Sequence, residues 1–371
     1  MKKRLRFLIN TLGGGGAEKV LVDLLNKLDP QKYDLSLVII YGGVNREKLH
    51  DHIHVRQLVP FRRGFLKWLF GSLLFKLPDK LFCACFLRGT YDAEIAYLEG
   101  IPTKRIAALK TNAARIAFVH QDVFVENIVH LPYGSKEKCL AAYRSLDQVC
   151  FVSKQAQIGF EKSVGELHNA RILHNVVDVE TILKRSEEPV AERFTTTGLK
   201  LVTVGRLASP KNYQRLLRVI HRLEKEYPME LWIIGDGEER AVLERMISKL
   251  KLSSVRLLGY RDNPYALVKQ ADLFVCSSDY EGYSTAVTEA VLLGVPVLTT
   301  DCAGMDEILC DGQYGIIVEN SDEGMFDGLQ CLLCDRNRYY EIKKIVHERS
   351  QTLTQSASTS AYDLLFEEVC G

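Results

Sequence analysis

Short apolar runs recur along the chain, each ending in a polar loop that usually holds glycine and leading into a segment with apolar residues three or four apart. In the first half, Arg4–Asn10 reads as a buried strand, Gly13–Gly16 as a tight loop, and 17–28 as a helix with Val20, Leu21, Leu24, Leu25 and Leu28 on one face. Further strands are expected at 35–41, 92–97, 116–120, 148–152 and 172–176. Apolar periodicity fades over 179–198, where Glu187-Glu188-Pro189 and Thr195-Thr196-Thr197-Gly198 read as a linker. The rhythm then restarts. Strands at 200–204, 230–234, 255–258 and 271–276 alternate with helices at 213–226, 239–250, 264–270 and from near Ser284. Such alternation predicts an α/β protein of two Rossmann-like domains, 1–178 and 199–355, with parallel sheets and a cleft between them. A final helix at about 356–371 is expected to pack back on the first.

In parallel sheets every strand delivers its loop to one rim, and ligands gather there. The stretch 277–300 is the richest such loop. Glu281, Gly282, Tyr283, Ser284 and Thr285 fall where a strand ends and a helix begins, so free N–H groups and the helix dipole favour an anion. Glu289 lies further along that helix, positioned to meet ligand hydroxyls. Arg206 and Lys211 share the loop after the strand 200–204, and a guanidinium fork with an ammonium suits a diphosphate. Taken singly, these residues could equally be solvated surface charges. His120 ends a strand of the first half, a place that suits a ligand contact or a structural histidine. Gly14, Gly15 and Gly16 let a ligand approach bare backbone. Glu18 stands where the dinucleotide fingerprint needs glycine, and no acid closes the next strand, which disfavours an NAD enzyme.

Charge adds a polarity to this picture. The first 177 residues carry ten more basic than acidic side chains, and the remainder nine more acidic than basic. With no aromatic-interleaved basic motif, an anionic membrane surface fits better than nucleic acid. Residues 59–82 concentrate Arg62, Arg63, Lys67, Lys76 and Lys80 among Phe65, Trp68, Leu69 and Phe70, around an uncharged core (68–75) too short to span a bilayer. The segment reads either as an interfacial helix or as a core helix with a basic rim. The ten cysteines lack metal-site spacing and read as small buried hydrophobes in a reducing cytosol, with no structural metal and no export signal.

In order and spacing, these motifs resemble the retaining glycosyltransferases of the large GT-B family 4. The likeness rests on Gly13 to Lys19, His120, Ser153-Lys154, Asn175 to Asp178, Gly205-Arg206-Leu207 with Lys211-Asn212, Gly235-Asp236-Gly237, and Glu281 and Glu289 with seven residues between them. It implies a GT-B architecture and a nucleotide-diphosphate-sugar donor, with UDP the leading nucleotide. It also implies roles: Arg206 and Lys211 on the diphosphate, Glu289 on the ribose, and Glu281 with the N–H groups of Gly282, Tyr283, Ser284 and Thr285 on the sugar and phosphates. His120 would lie near the reacting carbon, Gly14, Gly15 and Gly16 along the cleft, and Tyr260 and Arg261 against the base.

Two spellings depart from the commonest family pattern, Ser284 in place of glycine and Asn175-Val176-Val177-Asp178 in place of Asn-Gly-Val-Asp. Together with 263–265 and 300–307, the second resembles bacterial enzymes that build capsular or exopolysaccharide units on a lipid-diphosphate carrier. The implied protein needs no cofactor and no metal, takes a lipid-linked glycan acceptor, and works in the cytoplasm, peripheral on the inner face of the plasma membrane. A nucleotide-sugar epimerase of the same architecture and a non-enzymatic nucleotide-binding scaffold are the alternatives.

Overall fold

The computed structural model describes residues 2–61, 65–126, 129–356 and 359–371. They form two units, Met1–Val176 with Ser358–Gly371, and Val177–Ala357. The first is built on parallel strands β1 (Lys3–Ile9), β2 (Tyr33–Tyr41), β3 (His54–Val59), β4 (Ala93–Ala96), β5 (Ala114–Val119), β6 (Gln148–Phe151) and β7 (Ala170–Ile172), in the order β3-β2-β1-β4-β5-β6-β7. The second is built on β8 (Leu199–Val204), β9 (Met229–Ile234), β10 (Val255–Gly259), β11 (Leu273–Cys276), β12 (Val297–Thr300) and β13 (Ile316–Val318), in the order β10-β9-β8-β11-β12-β13. All the strand pairs are parallel, as two Rossmann-like units require. Central strands are buried on both faces, which explains why they read as unbroken apolar runs.

Helix α1 (Gly16–Lys27) lays Val20, Leu21, Leu24 and Leu25 on the first sheet, the face its periodicity predicts. The last helix, Ser360–Val369, adds Tyr362, Leu365 and Phe366 to the same core. In the second unit the helix Tyr213–Leu223 contributes Leu216, Leu217, Val219 and Ile220 to one core cluster, and Val287 and Val291 of the helix Thr285–Leu292 pack in another.

Two stretches and the cysteines differ from expectation. β7 stops at Ile172, because beyond Leu173 the chain leaves the ladder while Val176 and Val177 are still buried. Their apolar pattern marks a core contact that is not a strand. Within 179–198, Val179–Ser186 is a helix that starts on an Asp178 cap and packs Val179 and Ile182 on Tyr265 and Leu292. Among the cysteines, Cys83, Cys139, Cys150, Cys276 and Cys302 are buried as small hydrophobes, whereas Cys85 and Cys334 face solvent from helices.

A buried ion pair crosses the first sheet. Arg6 and Glu94 are 2% and 1% exposed, and the guanidinium meets the carboxylate at 2.8 and 2.6 Å while donating to the carbonyls of Leu87 and Arg88. Glu94→Ala strands the guanidinium without a counter-charge and is expected to destabilise the first unit by about 3–5 kcal/mol in denaturant unfolding. The double change Arg6→Met with Glu94→Leu is expected to recover most of that loss.

Candidate active site

β8 and β11 are neighbours in register, Leu201 beside Leu273, so the loops that follow them emerge side by side. The first ends in the turn Ser209–Lys211, and Asn212, at φ 41°, turns the chain and caps the helix Tyr213–Leu223 by accepting from the Arg215 N–H at 3.1 Å. The second, 277–284, is sewn to it. The Asp279 N–H donates to the Pro210 carbonyl at 2.8 Å, Ser277 Oγ to the Lys211 carbonyl at 2.9 Å, and Asn212 Nδ2 to Asp279 Oδ1 at 2.9 Å.

Across this seam Lys211 Nζ meets Glu281 Oε1 at 2.5 Å, and Ser278 Oγ donates to the same oxygen at 2.6 Å. Burial works against the Lys211 charge, but the Glu281 carboxylate beside it more than compensates, holding the ammonium above its ordinary range. The lysine is therefore cationic at every working pH. Ser284, 4% exposed, is the N-cap of the helix Thr285–Leu292, and its hydroxyl does not cap the helix. Lys211, Ser278 and Ser284 line one small cavity with Thr203 and Cys276. Gly282 and Tyr283 are crossed by the loop at Gly304, where φ is +80° and a Cβ would come within 2.6 Å of the Gly282 carbonyl oxygen, so glycine is required. Glu289 is 8% exposed on its helix.

The other expected donor contacts are held elsewhere on the rim. Arg206, with 65% of its side chain exposed, is paired with Glu238 at 3.0 Å in the loop after β9. Tyr260 is 52% exposed after β10, and Arg261 pairs with Glu192 at 2.8 Å.

In the first unit, a Cβ on Gly14 would meet open space, while one on Gly15 would strike the Glu18 carboxylate. Gly16 opens α1. The His120 N–H donates to Glu99 Oε2 at 3.0 Å, and its ring lies 4.6 Å from that of Tyr97. Neither ring nitrogen has a partner among the described residues. Burial alone pushes its pKa down to about 3, so the imidazole is neutral and able to exchange a hydrogen bond, but it is no reservoir of charge.

Sequence patterns missed Ser278, Asp279, Arg215 and Glu99. Ser278 and Asp279 lie within the stretch that drew attention, yet serine and aspartate are common in any loop. Arg215 looks like one more basic residue on an amphipathic helix. A further cavity, of about 540 Å³, is lined by Glu188, Arg193, Phe194, Lys200 and Lys269 and holds none of the residues expected to act.

Residues 184–349 match the family model of the glycosyl transferases group 1. The N-acetylgalactosamine-N,N'-diacetylbacillosaminyl-diphospho-undecaprenol 4-alpha-N-acetylgalactosaminyltransferase of Campylobacter jejuni is 28% identical over 353 residues, 90% of this chain and 91% of its own. An uncharacterized glycosyltransferase of Methanocaldococcus jannaschii is 30% identical over 251 residues, 62% of this chain and 61% of its own. Among solved structures, Anabaena HepE in complex with UDP and glucose superimposes with a TM-score of 0.75 at 18% identity, covering 98% of this chain and 99% of its own. The match to the group 1 glycosyltransferase model thus falls within the second unit, and the two Rossmann-like units of the chain share the fold of GT-B glycosyltransferases.

His120 has a consequence in acid. Its folded pKa of about 3 lies below the ordinary 6.5, so between these values the unfolded chain takes up a proton that the folded one does not. Stability is expected to fall on acidification from 6.5 towards 3 by up to about 1.4 kcal/mol per pH unit from this group. Unfolding free energies of the natural protein and His120→Asn, compared at pH 7 and 5, should therefore converge or cross in favour of the variant. A constant difference would show an imidazole open to water.

Proposed function

We propose that the protein transfers a hexosyl or N-acetylhexosaminyl group, with retention of configuration, from a nucleotide-diphosphate sugar to a lipid-diphosphate-linked glycan in surface polysaccharide synthesis. UDP is the nucleotide of first choice. The observation that carries this reading is the Lys211–Glu281 pair: a permanently charged ammonium beside the amino end of the helix Thr285–Leu292, on the rim of a group 1 glycosyltransferase domain. The Campylobacter relative, aligned over nine-tenths of both chains, supports the acceptor class.

In the mechanism, the bond from the anomeric carbon to the donor phosphate oxygen breaks, and the acceptor hydroxyl forms its new bond on the same face. The hydroxyl proton passes to the departing phosphate oxygen, so no protein base is needed. Lys211, Arg206 and the N–H groups from Gly282 to Thr285 stabilise the charge that gathers on the diphosphate. Arg206 is available for this, since an exposed pair such as Arg206–Glu238 is worth only about 0–1 kcal/mol and yields readily to a dianion. Glu281, fixed by Lys211 and Ser278, retains a second carboxylate oxygen for sugar hydroxyls. Glu289 holds the ribose, Tyr260 and Arg261 flank the base, Gly14, Gly15 and Gly16 admit the donor, and His120 exchanges a neutral hydrogen bond with the sugar. These cationic side chains perform the work that a divalent metal does in other transferases, and the protein takes no cofactor. A lipid-linked acceptor places the reaction at the cytoplasmic membrane face.

Lys211→Ala and Arg206→Ala are each expected to lower turnover by about a hundredfold or more, as loss of a charge-stabilising donor does. Activity within a few-fold of the natural enzyme sinks the diphosphate assignment. Glu289→Ala is expected mainly to weaken donor binding, and unchanged affinity by calorimetry excludes the ribose contact. Incubation with donor alone separates the transferase from an epimerase, which would yield a new nucleotide sugar. EDTA is expected to leave the rate intact.

A further inference from the structure

Helix α2 (Phe65–Lys76) turns an apolar surface to solvent. Phe65 is 69% exposed, Trp68 64%, Leu73 61% and Leu66 48%, with Leu69, Phe70 and Phe75 also exposed. Gly71 and Leu74 mark the narrow stripe that faces the protein, and Gly71 is close enough to the Tyr41 hydroxyl that a Cβ would meet it at 2.2 Å. Of the two sequence readings, an interfacial helix or a core helix with a basic rim, the second does not fit, because the large side chains that would fill a core lie on the outside. Isolated exposed leucines are ordinary, but seven large apolar residues along one helix form a patch that marks an interaction site.

This surface is built and held. Arg105, 2% exposed on α4 (Ile101–Ala107), donates to the carbonyls of Leu74, Phe75 and Leu77 at the carboxyl end of α2, at 2.7 to 3.3 Å. It also pairs at 2.5 Å with Asp79, the first residue of α3 (Asp79–Phe86), so a single guanidinium caps α2 and fixes the elbow behind it. Phe75 stacks on Tyr41 at 6.0 Å, and Phe61 lies 5.2 Å from Phe70.

Charge selects the occupant. Residues 59–82 hold five basic side chains and a lone acid, Asp79, already engaged by Arg105 and Lys104. Lys76 and Lys80 are exposed; Arg62 and Arg63, and the side chain of Lys67, lie outside the described residues. A second copy of the chain, docked about a two-fold axis, would set these cations against themselves. An anionic bilayer answers both the apolar face and the cations. At 12 residues α2 is roughly 18 Å long, against about 30 Å for a hydrocarbon core, so it lies along the interface. Among the described residues no helix is long and apolar enough to cross a membrane.

We propose that α2 is an interfacial anchor whose exposed apolar face enters the headgroup–acyl boundary of an anionic lipid surface, with Trp68 among the inserted residues. This gives the lipid-linked acceptor its site of approach and rests on the transferase reading for that purpose alone; the binding itself needs no turnover.

The chain reports on the proposal unaided. It has two tryptophans, Trp68 exposed and Trp232 fully buried against Phe194 at 3.7 Å, so a change in tryptophan emission on adding vesicles reads Trp68. The full chain, titrated with phosphatidylcholine vesicles containing phosphatidylglycerol, is expected to show a blue shift and protection from acrylamide. Pure phosphatidylcholine and high salt should weaken both effects. Leu66→Glu with Leu73→Glu, which keeps good helix formers at two solvent-facing positions, is expected to cut vesicle affinity about tenfold or more while circular dichroism and turnover on a soluble acceptor are unchanged. Absence of a shift overturns the anchor, as does full vesicle binding by the double variant. A dimer in sedimentation that the variant abolishes and vesicles do not compete with assigns the face to a second copy instead. Turnover on soluble acceptor, measured in parallel, shows whether the transferase reading stands when the anchor fails.

Discussion

The rim of the second sheet depends on one buried guanidinium. Arg215 is 7% exposed, and a charge so far from water must be surrounded by acceptors or the fold loses several kcal/mol. It is surrounded by Asp279 at 2.9 Å, Asn320 Oδ1 at 2.6 Å, the Ser277 carbonyl at 3.3 Å and Asp322 at 3.4 Å. Asn320 in turn donates to the Asp279 carbonyl at 2.8 Å. Segments that follow β8, β11 and β13 are thereby drawn into one network. The meeting of Lys211 and Glu281 follows from it, because both side chains project from segments whose backbones Arg215 and its partners have already fixed.

The same device recurs in the first unit, where irregular chain is again held by a buried arginine. Arg6 gathers the carbonyls that end α3, and Arg105 gathers those that end α2. A guanidinium suits this task because its five donors spread in a plane and reach several carbonyls and a carboxylate at once, which a lysine ammonium does not. Each arginine has its acid: Glu94, Asp79 and Asp279. Net stabilisation by such pairs over apolar packing is small, but the geometry they impose on the loops is specific, and loop geometry is what a ligand-binding rim requires.

Much of the two-unit α/β architecture and the chemistry-bearing loops could be read from sequence, because parallel strands buried on both faces leave unbroken apolar runs and every loop returns to one rim. Lys211 and Glu281 were identified as residue types on adjacent loops, and the structure joins them directly. Pairings that depend on tertiary reach were not legible. Nothing local distinguishes Arg215 from the exposed Arg218 on the same helix, and the engagement of Arg206 by Glu238 depends on how the loop after β9 folds back. The edge strand β7 was misplaced because Leu173 and Val176 are apolar for the sake of the core, and periodicity alone does not separate a ladder from a buried coil. His120 was legible as a residue at a strand end, but its neutrality was not, since that comes from burial beside Tyr97 and Phe118.

Helix α2 separates what holds an element from what covers it. Most helices in globular proteins are stabilised by burying an apolar stripe, with the caps adding increments. Here the stripe is reduced to Gly71, Leu74 and the Tyr41–Phe75 stack, and the carboxyl end is secured by three hydrogen bonds and an ion pair from Arg105 and Asp79. The side chains of Phe65, Leu66, Trp68 and Leu73 are not needed for that attachment, because they point away from it. Full burial of a large apolar side chain is worth about 1.5–3 kcal/mol, and these are still about half exposed or more, so the folded chain in water leaves part of that hydrophobic free energy unrealised on one short helix. Fixing the helix by its end leaves its face ready formed, so that little ordering entropy has to be spent when the face is covered.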